Sequence, residues 1–148
     1  MKNLILKYSL GMYAGLVGYF FMMRFFGMYE VVELRLFNLF IVIAGLYLLL
    51  KENMDHGYKG YLHNIFLGFK TISITMILIA ISLLVYLQFI NPGFKAFLAD
   101  AMLWGRNLSM AQIALAITIE GISSGFIITF MAMQYLKDYA GKKSHAHS

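Results

Sequence analysis

Residues 72–90 read ISITMILIAISLLVYLQFI, and Asn91-Pro92-Gly93 follows directly. No charge interrupts the run, and its length matches the roughly 20 helical residues that a bilayer's hydrocarbon core requires. Backbone groups cannot go unpaired in lipid, so such a run is a helix, and Asn91-Pro92-Gly93 is a strong stop. The polar–apolar alternation of a membrane barrel strand is missing.

Working outward, three more apolar stretches keep the same character. Tyr8 to Phe26 carries only Arg24, near its far end. Leu36 to Leu50 is uncharged but short, unless it starts near Leu34 and lets Arg35 snorkel into the headgroups. Ile113 to Tyr135 contains Glu120. The 148 residues are 61% hydrophobic and 13% charged, too few charges to cover a soluble surface where roughly a quarter is usual. The expectation is an all-α, polytopic membrane protein with four transmembrane helices. They form one domain over residues 1–140, with a flexible cytoplasmic tail at 141–148. Met1-Lys2-Asn3 could open a secretory signal, but the run behind it is too long and lacks a small-x-small cleavage site. An uncleaved signal-anchor span is expected.

The basic residues set the orientation. Lys2, Lys7, Lys51, Lys59, Lys70, Lys137, Lys142 and Lys143 fall on one side, Arg24, Arg35, Lys95 and Arg106 on the other. The positive-inside rule then places both termini in the cytoplasm of a cell inner (plasma) membrane. The net charge of +5 sits mostly on that inner face, where it matches anionic headgroups. No dense basic stripe of the kind a nucleic-acid site needs is present, so the expected partners are the bilayer and a membrane protein or a second copy.

The connections carry less information. In Pro92 to Gln112, Phe94, Phe97, Leu98 and Ala101 follow helical spacing, which predicts a short amphipathic interfacial helix before the fourth span, with Trp104 as anchor. A lid over a central cavity is the alternative. Ser109-Met110-Ala111-Gln112 reads as a capping box. The second connection, taken as Lys51 to Lys70, holds His56 and His63, and the tail holds His145 and His147. No ligand set is complete, so no metal site is expected. With every histidine outside the spans and no cysteine, ligation of a haem between helices is excluded and no cofactor is expected.

Glu120 is the residue out of place, about seven residues into the fourth span and so about 10 Å deep at 1.5 Å per residue. In lipid it must face the bundle interior, be paired, or be protonated. Arg24 is expected at a depth from which it reaches toward Glu120. The pair reads either as a packing contact or as a proton- or cation-binding site. Gly11 and Gly15 in the first span, and Gly121 and Gly125 in the fourth, stand at an interval that lets helices approach closely. The first and fourth helices are therefore expected to pack around the acid. No phosphate loop, HExxH or GxSxG occurs. The acidic pairs Glu30–Glu33 and Glu52–Asp55 read as headgroup-level charges.

The order of these features, with Gly68-Phe69-Lys70 entering the third span and Phe89-Ile90-Asn91-Pro92-Gly93-Phe94 leaving it, is distinctive. It resembles a widespread bacterial family of small four-span membrane proteins known only as a domain of unknown function. The resemblance implies the four-span fold, but no activity and no catalytic residues. The expected function is a small interaction or accessory subunit without catalysis. The alternative is a small oligomeric transporter or channel with Glu120 as its intramembrane carboxylate. A water-accessible cavity reaching Glu120 would favour the transporter, and a dry bundle the subunit.

Overall fold

The computed structural model describes residues 2–27, 36–58, 60–90 and 109–145, and these are all helix and turn. The helices are α1 (Lys2–Phe25), α2 (Leu36–Asp55), α3 (Tyr61–Val85) and α4 (Met110–His145), with a π-helical turn, Tyr86–Ile90, closing α3. Each of the four is long and apolar enough to cross a membrane. They run up, down, up and down. Ser9 and Phe20 of α1 meet Thr71 and Tyr86 in the same order along the chain, so α1 and α3 are parallel. Met12 against Gly45 and Gly15 against Ile41 make α1 and α2 antiparallel.

In cross-section the bundle is a rhombus. The pairs α1–α2, α1–α3, α3–α4 and α2–α4 form its sides, and α2 also touches α3 across the short diagonal. The core is a cluster of Met12, Leu16, Leu46, Leu49, Ile72 and Met76. A second cluster of Leu50, Met54, Ile65, Met133 and Leu136 closes the end where α2 turns into α3.

The arrangement corrects one expectation directly. The fourth helix packs mainly on α3 and not on α1. Gly121 lies under Met76 and Gly125 under Ile72, while Gly68 of α3 receives Thr129. Small residues on both helices let these two approach, and their contact is the most extensive between any two helices described. The helices joined by the small-residue spacing are thus α3 and α4.

The turn between α2 and α3 is shorter than the polar residues suggest. Helix α2 continues through Lys51 and Glu52 to Asp55, and α3 begins at Tyr61, so His63 and Lys70 are helical. His63 therefore falls inside a candidate span, Tyr61–Val85, and not in a loop. The end of α2 is a Schellman motif. Gly57 at φ +96° donates to the Met54 carbonyl at 3.0 Å, and Tyr58 donates to that of Asn53 at 3.3 Å. The positive φ is what glycine supplies at this position.

Helix α4 opens on the capping box: the Ser109 N–H donates to Gln112 Oε1 at 2.9 Å and the Gln112 N–H to Ser109 Oγ at 3.3 Å. At its other end the backbone stays helical to His145, so the first tail residues extend the helix. The expected interfacial helix with Phe94 and Trp104, the Glu30–Glu33 pair, Arg35 and His147 lie outside the described residues.

Candidate functional site

Gly121 and Gly125 fix the inner face of α4, and at about 100° per residue the outer face follows from them. Glu120 is on it. The side chain is exposed, as are Ile119, Ser123 and Ile127, while Ser124 is half-buried. Among the described residues, Glu120 has no hydrogen-bond or ion-pair partner. The carboxylate therefore faces away from the bundle, which closes the first of the three alternatives and leaves it paired or protonated. Because α4 starts at Met110, Glu120 sits about 15 Å along the helix at 1.5 Å per residue.

Arg24 does not reach it. The guanidinium lies over the ring of Tyr86, 5.4 Å from the centroid, and Tyr86 in turn meets Phe20 edge-on at 5.4 Å. Glu120 is level with the Met76 region of α3, and Tyr86 is ten residues further on, an axial gap of about 15 Å. No side chain of these two spans that gap. The glycines also separate. Gly121 and Gly125 are at the α3 seam, and Gly15 faces Ile41 of α2 at 3.2 Å from a would-be Cβ, while Gly11 has nothing within 4 Å.

Most other hydroxyls in the spans are engaged. Thr71, Thr75, Thr118 and Thr129 each donate to the carbonyl four residues back, at 2.7 to 2.9 Å. This local bond satisfies the hydroxyl inside an apolar bundle. Ser123 and Ser124 make no such bond among the described residues, and both lie within one turn of Glu120. Three polar side chains without partners thus gather on one outer face.

A second polar cluster, at the α2–α3 turn, has a structural role. Asn53 and Asn64 are fully buried. Asn53 Nδ2 donates to Asn64 Oδ1 at 2.7 Å, and Asn64 Nδ2 donates to the carbonyls of Tyr58 and Gly60 at 2.8 and 2.9 Å. Beside them, Lys7 Nζ is 3.0 Å from both oxygens of Glu52, and the Tyr8 hydroxyl donates to the same carboxylate. The amide pair staples the hairpin, and the Glu52 group ties α1 to α2. The polar residues Glu52, Asn53 and Asn64 suggested a loop in the sequence. Their real signal was two asparagines flanking a short Gly-bounded turn.

Of two surface grooves among the described residues, neither is lined by Glu120. One of about 450 Å³ runs along the α3–α4 surface beside Phe69, Ile122, Ser123, Phe126 and Ile127. The other, about 250 Å³, is apolar and lies between α2 and α4 at Tyr47 and Tyr135. Among the described residues no group of three potential metal ligands converges. No protein-family model, curated protein or solved structure matches the chain.

Proposed function

We propose that the chain is an accessory subunit of the inner (plasma) membrane, with both termini cytoplasmic, whose work is to bind another membrane-embedded protein without catalysis of its own. The observation that supports this reading most is the outward face of α4. Glu120, Ser123 and Ser124 stand on it, while the bundle completes its own packing through the opposite side of the same helix. A carboxylate facing lipid is costly, so it calls for a partner. The reading against a transporter rests on the grooves, neither of which is lined by Glu120. The two-to-one distribution of lysine and arginine supports the orientation.

The test is native mass spectrometry after gentle extraction from the protein's own membrane. A complex with a different membrane protein in fixed stoichiometry, lost on Glu120→Gln, is the expected result. A homo-oligomer that conducts protons in liposomes, and stops on the same substitution, would replace this reading with transport.

A further inference from the structure

We propose that the outer face of α4 receives a transmembrane helix of a different protein that carries a lysine or arginine at the depth of Glu120. This deepens the accessory reading and rests on it. The argument is charge complementarity. Glu120 is exposed in the first half of a candidate span, Ala111–Asp138. Ala116, one turn before it, and Ser123 and Ser124, one turn after, are small, so a partner's backbone can come close on either side of the carboxylate. The two serine hydroxyls, unbonded among the described residues, add acceptors for the remaining N–H groups of an ammonium or guanidinium.

Among the described residues, a second copy of this chain brings no cation to the depth of Glu120. Copies that share a membrane lie at equal depth, so each brings Glu120 to the level of the other. Lys70 is exposed on α3 but sits level with the residue after Phe126, because Gly125 and Ile72 are level. That places it about 10 Å from Glu120 along the axis. The helices are antiparallel and each Cα–Cβ bond tilts toward its own N-terminus, so Lys70 and Glu120 lean apart. Arg24 is displaced in the other direction by about 15 Å and is stacked on Tyr86. With neither described cation at that level, we place the matching charge on a helix of another protein.

The experiment uses the full chain in phosphatidylcholine vesicles, labelled at one introduced cysteine, since the natural sequence has none. The probes are three acceptor-labelled Leu/Ala transmembrane peptides, identical except for Lys, Leu or Glu near the middle. Energy transfer should report the Lys peptide binding at least about tenfold more tightly than the Leu peptide. Glu120→Gln should bring the Lys peptide to the Leu level, and Glu120→Lys should reject it and accept the Glu peptide. Helix content and unfolding midpoint, measured alongside, should be unchanged in Glu120→Gln. Equal binding of all three peptides, Lys-peptide binding that survives Glu120→Gln, or Glu120-dependent energy transfer between copies would each overturn the proposal. The accessory reading fails separately: its native complex would then be absent or indifferent to Glu120.

Discussion

Helices α4 and α1 are attached to the same partner, α3, by different means. The α3–α4 seam is held by shape: Gly121, Gly125 and Gly68 each make room for a side chain of the facing helix, Met76, Ile72 and Thr129. The attachment of α1 adds hydrogen bonds to the shared apolar core of Met12, Leu16, Ile72 and Met76. Ser9 Oγ donates to the Thr71 carbonyl at 3.2 Å, and the Tyr13 hydroxyl pairs with Ser82 at 2.5 Å. On its α2 side Lys7 and Tyr8 both reach Glu52. Yet α1 has its own row of small residues, and Gly11 and Gly18 face open space. Small-residue spacing permits close approach, and only a side chain on the facing helix turns that permission into packing.

The largest expected effect breaks the seam. Gly125→Leu drives a branched side chain into Ile72, whose Cβ and both γ-carbons are already close to the glycine. The loss should be about 3 kcal/mol, at the upper end for overpacking, read by denaturant unfolding in micelles. Gly121→Leu should cost less, because the atoms it meets are the flexible end of Met76. Equal effects at the two positions would mean the seam is looser than its geometry.

Next come the hydrogen bonds of α1. Ser9→Ala and Tyr13→Phe should each destabilise by about 0.6 kcal/mol and no more than about 1.7, the range for hydrogen bonds between membrane helices. If either matched Gly125→Leu, the contrast between the two attachments would collapse. Lys7→Ala should do less than Tyr13→Phe, because this end of α1 is solvated and Lys7 is 63% exposed. Its effect should vanish near 1 M salt, where the screening length is about 3 Å. A salt-independent loss would instead assign the contact to the lysine lying over Tyr8, with Nζ 5.1 Å from the ring centroid.

The parts of this molecule that are local in sequence were legible there. Four apolar runs gave four helices, and Ser109 with Gln112 gave the cap that opens α4, because three residues of separation are enough to define both bonds. Helix ends were read short at the α2–α3 turn, since Glu52, Asn53 and Asn64 are polar. Their partners, each other and residues of α1, are distant in sequence. The neighbour of α4 was not legible, because α1 and α4 both carry glycines at the same interval and the choice depends on Met76 and Ile72 of a third helix. The direction of Glu120 was not legible for another reason. Facing the interior, being paired and being protonated were equally open, and only the packing of Gly121 on α3 commits that side of α4 and turns the carboxylate out.

The smallest expected effect is the sharpest check on the comparison. Gly11 and Gly18 have nothing within 4 Å of a Cβ, so Gly11→Ala and Gly18→Ala add no clash within the bundle. Glycine inside a helix is roughly 0.5–1 kcal/mol less favourable than alanine in water, and removing that penalty should leave stability unchanged or slightly raised. The measurement is the same unfolding titration used for Gly125→Leu, made at several protein-to-detergent ratios. A monomer predicts no dependence on that ratio for either variant. A loss of stability that appears only at high protein-to-detergent ratio would reveal a second copy seated on α1. The two small-residue rows would then have the same job after all, one within the chain and one between chains.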